Sequence, residues 1–483
     1  MTSSIPETIE GLPALSGWDA DIREATSRRH PVTLGRSPMR PDGVTSAFGI
    51  ALHMHQPLIL DDGDLRTSRV VGNLEYMLER RHVHGFHDAP AFLGCYSRTA
   101  DFIRELVDAG RHPRIMLDYS GELLFGLRQM GRGEVLDNLR SVTTSGRYRT
   151  AVEWLGTLWG HAVVPSTPIP DVRLHLRAWQ HQFAAVFGDE ALSRVRGFSL
   201  PEMNLPNHPD VSYELVRALR DSGYQWVLVQ EHTVEELDGR PLRERFLPRT
   251  LAVHNSRGEK ARITAIIKTQ GSDTKLVGHM QPLAEARSQA ARTLRGRRVP
   301  SLVAQISDGE NGGVMMNEFP DRYKGAWAGL GTEGVVGLNG TEYLELLSQA
   351  GVSEDDFEAI RPLHQHALWS RISGEPSPES VARAIEEARK ADHRFHMEGG
   401  SWTNDLSWVR GYESVLDPIR SLSARFHQVA GRADPRSHAY RNALFHLLVA
   451  ETSCYRYWGQ GRFTEIAKEF CRRGNEILQN DFS

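Results

Sequence analysis

Cysteine is scarce in this chain. Cys95, Cys454 and Cys471 are the only three in 483 residues. An odd, widely spaced set gives neither a disulfide framework nor a metal-ligand spacing, and it fits a reducing compartment. Long apolar runs are also lacking: none approaches the roughly 18 residues that a membrane-spanning helix needs. The opening Met1-Thr2-Ser3-Ser4-Ile5-Pro6-Glu7-Thr8 has no basic start followed by an apolar stretch, so no secretory signal is read there. Charge of one sign is missing too. The net charge is -4, which implies no strong field for nucleic acid or an anionic membrane. Internal repeats and low-complexity tracts are absent. These absences lead to the expectation of a soluble, cytoplasmic protein without a nucleic-acid or membrane partner. They leave the oligomeric state open.

What is present is ordinary for a globular chain: 40% hydrophobic and 24% charged residues. A chain of this length ordinarily forms about two or three domains. Residues 1–45 mix Pro, Gly, Ser and charge with little periodicity and read as an arm over the core. Strand-like runs then recur near 48–53, 114–118, 151–155, 196–200, 225–230, 262–268 and 301–306. Helical patterns separate several of them: 100–109 before Gly110, 174–187 before Gly188, 212–220 before Ser222-Gly223, and a candidate over 275–294. Strand–helix alternation argues for parallel strands in an α/β fold, and about seven strands favour a barrel. After residue 325 the patterns turn helical, at 341–349, 379–395, 415–429, 441–457 and 463–478. The expected division is therefore an arm (1–45), a barrel (46–325) and a helical region (326–483).

The polar ends of three runs carry the chemistry. Leu302 to Ile306 breaks into Asp308-Gly309-Glu310-Asn311, and Gly197-Phe198-Ser199-Leu200 into Pro201-Glu202. Phe48 to Leu52 ends in His53-Met54-His55-Gln56-Pro57. Parallel barrel strands bring such ends to one face. Glu202 and Asp308 would face one another across a cavity as nucleophile and general acid/base, as glycoside chemistry requires. Alternate strand residues share a side, so His53 and His55 point together. They would either bind a metal or hydrogen-bond a ligand hydroxyl. His161 is a third member, and Glu122 a loop or ligand-binding carboxylate. Trp402 and Asp405 lie in a polar aromatic loop suited to sugar, and Val314 to Phe319 is a candidate acceptor loop. Glu310 is placed to put a negative charge beside Asp308 and so hold a proton on it.

With these residues in view the chain resembles glycoside hydrolase family 57. His55-Gln56-Pro57, Glu153 through His161 to Pro165, Gly197 to Glu202, Asp308 to Asn311 and the Ser401 to Trp408 loop stand in the family's order. Ser199-Leu200 stands where the family usually carries a Trp. The resemblance implies an incomplete (β/α)7 barrel followed by a helical domain. It also implies a retaining double displacement on α-glucans, by hydrolysis or by transfer. Glu202 would be the nucleophile and Asp308 the general acid/base. His53, His55, Gln56, His161, Glu122, Glu310, Trp402 and Asp405 would bind substrate, with no metal and no cofactor. Two other readings compete: a non-catalytic carbohydrate-binding barrel, and a metal-dependent amidohydrolase-like enzyme whose His53-Met54-His55 motif is completed by His232 and His254.

Overall fold

A computed structural model describes residues 5–37, 43–269, 275–310, 318–330, 334–402 and 408–482. Seven parallel strands close into a barrel in chain order: β1 (Ser46–Met54), β2 (Ile115–Tyr119), β3 (Val152–Gly156), β4 (Gly197–Ser199), β5 (Trp226–Gln230), β6 (Lys260–Lys268) and β7 (Ser301–Asp308). β7 pairs with β1 over eight positions, Ser301↔Ser46 to Asp308↔His53. Closure on the other side runs from β5 to β6, then from β6 to β7 through Lys268↔Ala304. All seven sequence-predicted strands are present. β1 is buried along its whole length, because its side chains face the barrel lumen on one side and the helical layer on the other.

The α/β alternation supplies that layer. Helices α1 (Ala89–Asp108), α2 (Gly121–Gln129), α3 (Ile169–Phe187) and α4 (Pro209–Asp221) follow successive strands. Two local expectations fail. The 275–294 pattern is not one helix but Lys275–Gly278, Gln281–Arg287 and the first strand of an Arg292–Leu294/Arg297–Val299 hairpin. Met280 adopts φ 54, which interrupts the helix, and Pro282 restarts it at a first-turn position. The strand Arg249–His254, antiparallel to β6 on the outside of the barrel, has no counterpart in the sequence reading. The 441–457 pattern also divides, into α7 (His438–Ala450) and a short helix Cys454–Tyr457.

Later chain segments finish both ends of the barrel. Val335–Gly337 pairs with Ser46–Phe48, the half of β1 that β2 leaves unpaired. Helix α5 (Gly340–Gln349) sits at the strands' N-terminal ends, where Thr341 N–H donates to Glu153 Oε2 (3.0 Å) and Trp226 Nε1 to Thr341 Oγ1 (3.0 Å). Arg114 clamps the same helix through two buried bonds to Glu342, 2.6 and 2.9 Å long. At the opposite end, α6 (Glu413–Val429), α7 and α8 (Arg462–Asp481) form a helical cluster whose connecting loop leans over the strand C-termini. In the N-terminal segment Ile22 is fully buried, and Glu7 receives Arg128 Nε at 2.7 Å. No described helix is long and apolar enough to cross a membrane.

Candidate active site

Strand register sets the first part of the site. His53 is level with Asp308 of β7 on one side and Asp118 of β2 on the other, so the three side chains emerge together at the barrel's C-terminal mouth. His53 Nδ1 lies 3.0 Å from Asp118 Oδ2. Burial alone would lower the imidazole's pKa. The contact with Asp118, helped by Asp308 and Glu310, outweighs that and pushes it up to about 9. His53 is therefore a cation at neutral pH.

His55 and His161 complete a stack. The His161 ring lies between the other two, 4.6 Å from His53 and 4.2 Å from His55, nearly parallel to both. The outer His55 and the central His161 are each fixed by a hydroxyl: His55 Nδ1 is 2.7 Å from Ser120 Oγ, and His161 Nδ1 is 2.8 Å from Ser453 Oγ. Burial, reinforced by neighbouring imidazoles, holds both well below the usual histidine range, so they are neutral. Their Nε2 atoms are buried and have no protein partner.

Glu202 follows β4 across the barrel. It sits in a Pro201–Met203 turn at φ 56, ψ 19, a left-handed conformation that a non-glycine residue adopts at a cost. Two hydrogen bonds hold it there: Trp402 Nε1 donates to Oε2 at 3.0 Å, and Trp402 N–H donates to Glu202 O at 3.2 Å. An antiparallel bridge between Leu205 and Gly400 continues the zipper. Gly399 (φ 77) is required beside it, since a Cβ would lie 2.3 Å from Asn204 Oδ1. Only 11% of the Glu202 side chain is exposed, and His161 Nδ1 is 3.8 Å from Oε1. Burial, with Asp308 adding, pushes its carboxyl up to about 7, against the His53 charge and the Trp402 bond.

Glu310 accepts from Tyr96 OH (2.8 Å) and from His55 N–H (3.1 Å). Burial and Asp308 push it up to about 8. Its neutral form is therefore favoured, whereas the sequence reading gave it a negative charge beside Asp308.

His53, His55, Gln56, His161, Glu202, Asp308, Glu310 and Trp402 all line one cavity of about 610 Å³. Glu122 does not. It is fully buried behind the wall, where Thr452 Oγ1 donates to it at 2.6 Å. Asp405 and residues 314–317 of the acceptor-loop expectation lie outside the described residues. Of the rival metal-ligand set, His254 packs on Trp369 at the outer strand, and His232 Nε2 is engaged by Ser401 O at 2.8 Å. Among the described residues no group of three or more His, Cys, Asp or Glu side chains is arranged to hold a metal. Tyr96, Asp118, Ser453 and the wall residues Trp458 and Phe463 were not foreseen as site residues. Ser453 is 292 positions from its partner His161, and no local pattern links them.

The comparison with known families now bears on this geometry. Residues 49–270 match the model of glycosyl hydrolase family 57. The family 57 match runs from β1 through β6 and includes Glu202; the Asp308 motif lies beyond it. Among solved structures, the 4-alpha-glucanotransferase from Thermococcus litoralis is similar at 15% identity with a TM-score of 0.53. That alignment covers 89% of this chain and 60% of that one. A GH57-type branching enzyme from Pyrococcus horikoshii aligns at 13% identity and a TM-score of 0.49, covering 90% of this chain and 88% of that one. At 15% identity the likeness to the glucanotransferase speaks to the fold alone. The chain spans 60% of the length of the glucanotransferase. No curated protein sequence matches the chain.

Proposed function

We propose that this protein is a retaining glycoside hydrolase or transglycosylase acting on α-linked glucans, with Glu202 as nucleophile and Asp308 as general acid/base. The observation that carries the reading is that both carboxylates, at the ends of β4 and β7, open on one cavity, and a hydrogen bond aims one of them. In this reading Glu202 attacks the anomeric carbon while Asp308 protonates the departing glycosidic oxygen. Asp308 then takes a proton from the water or sugar hydroxyl that breaks the glycosyl ester. Two features favour an ionised Glu202. The His53 cation lowers its proton affinity, and the Trp402 N–H stabilises its anionic oxygen. The unpartnered Nε2 atoms of His55 and His161 supply hydrogen-bonding partners for the sugar's hydroxyls. Three buried unpaired thiols suit a reducing, cytoplasmic setting.

The test is incubation with maltooligosaccharides and soluble glucan, with product size and linkage read by chromatography and NMR. A 2-deoxy-2-fluoro glycosyl donor should label Glu202, as peptide mass spectrometry would reveal. Turnover with the label on another residue would remove Glu202 from its role. Shorter products alone indicate water as acceptor, and longer or branched products a sugar hydroxyl.

A further inference from the structure

The cavity has two halves of opposite character. The inner half, around the carboxylates, holds buried imidazole nitrogens without partners. The outer half is walled by Ile59, Met77, Phe86, Phe92, Trp458 and Phe463. The polar groups of Asn73, Tyr76 and Arg462 beside it are already engaged. Asn73 donates to Gln56 Oε1 at 2.8 Å, and Tyr76 OH to Asp62 Oδ1 at 2.8 Å. Arg462 donates to Leu60 O at 2.8 Å and pairs with Asp62 at 3.0 Å. Among the described residues four large hydrophobic side chains are exposed. Trp458 (38%) and Tyr457 (51%) are on this wall, and Val83 (39%) is two residues from its Gly85-Phe86 rim. The wall is preorganised: Trp458 packs edge-on against Phe463 at 5.0 Å, and Tyr457 stacks on buried Trp408 at 5.2 Å. A surface that reads sugar hydroxyls by hydrogen bonds presents unspent donors and acceptors. This one presents hydrocarbon.

We infer that the outer half receives an apolar aglycone, an alkyl or aryl group on the leaving-group side of the bond that is broken, so that the preferred substrate is an amphiphilic α-glycoside. The inference rests on the proposed glycosidase reading. The leaving-group side is chosen because the departing half exits through the mouth, where Tyr457 and Trp458 stand. Sugar hydroxyls would meet the unpartnered nitrogens inside, and the apolar group would displace water from the wall. Each buried methylene lowers KM by about fourfold when fully desolvated, and by less on a wall open to solvent.

Methyl and hexyl α-maltotriosides, below the aggregation limit of the latter, provide the test. The expected KM for the hexyl glycoside is about 10- to 100-fold below that of the methyl glycoside. Trp458→Ala, or the milder Phe463→Leu, should collapse that ratio towards one, with circular dichroism confirming the fold. Equal KM values for the two glycosides would overturn the inference and leave the glycosidase reading intact. So would Trp458→Ala weakening unmodified maltooligosaccharides by the same factor, which would make the wall a sugar platform. If no glycoside turns over, the glycosidase reading fails and calorimetric affinities for the same pair decide. Tighter binding of the hexyl compound by tenfold or more supports an apolar subsite, and equal affinity removes it.

Discussion

Trp402 holds Glu202 at both ends, its indole N–H on the carboxylate at 3.0 Å and its backbone N–H on the carbonyl at 3.2 Å. The side-chain bond favours the anion and lowers the Glu202 pKa, so removing it raises that pKa from about 7. Trp402→Phe keeps a ring beside His53 but loses the donor. Its acidic limb of kcat/KM should move to higher pH, with a several-fold loss at neutral pH that is recovered in alkali. A limb that stays in place would mean that the ionisation of Glu202 does not limit the rate.

Glu202→Gln should abolish turnover, by on the order of 10⁴-fold or more for a covalent nucleophile. The same change has a stability signature with a definite sign. A carboxyl raised from 4.5 to about 7 in the folded state favours folding fully below pH 4.5, and that advantage is lost as pH rises through 7. The variant, which has nothing to ionise, should therefore be more stable than wild type at pH 8.5 by roughly 1–3 kcal/mol. At pH 4.5 it should show little difference. Urea midpoints at the two pH values measure this, and a gain confined to low pH would contradict a raised Glu202.

His53 follows the same sign at higher pH, here because its charged form is the one favoured. Its raised pKa contributes stability fully present below 6.5 and lost as pH rises through about 9. Asp118→Asn removes the main partner, so the wild-type advantage should be largest near pH 6 and shrink towards pH 10. An NMR titration of the His53 ring should fall in step. With less positive charge beside it, Glu202 should titrate higher in this variant.

How much of this was legible in the sequence depended on whether a signal was local. The seven strands were, since each is an apolar run that breaks into polar residues at the mouth, as Leu302 to Asp308 does. Register followed from the parallel fold and brought His53, Glu202 and Asp308 together. The outer strand Arg249–His254 was not legible, for its six residues, Arg-Thr-Leu-Ala-Val-His, are a short mixed pattern even though most of them are buried. Nor was the break at Met280, where backbone conformation overrides an acceptable helical periodicity. The partners that orient these side chains, Tyr96 on Glu310 and Ser453 on His161, come from a distant helix and a distant turn and need three dimensions to appear.

Below the barrel, Arg114 and Glu342 form a pair that is buried at both partners. Arg114→Met alone should cost about 3–5 kcal/mol, because the Glu342 charge is left without compensation. The double change Arg114→Met with Glu342→Leu should cost clearly less. Chemical denaturation of both variants provides the comparison, and equal losses would show that helix α5 depends on these groups for packing rather than for charge.

The segment carrying Ser453, Tyr457, Trp458 and Phe463 follows every barrel strand in the chain, whereas His53 lies on the first of them. A ribosome therefore releases every barrel strand before the segment that fixes His161 has emerged. Until that segment docks, the carboxylates face open solvent, and the imidazole that Ser453 orients has no anchor. Competence thus waits until residues 453–463 follow the finished barrel, and an interrupted chain carrying both acids but not that segment would still lack a finished pocket.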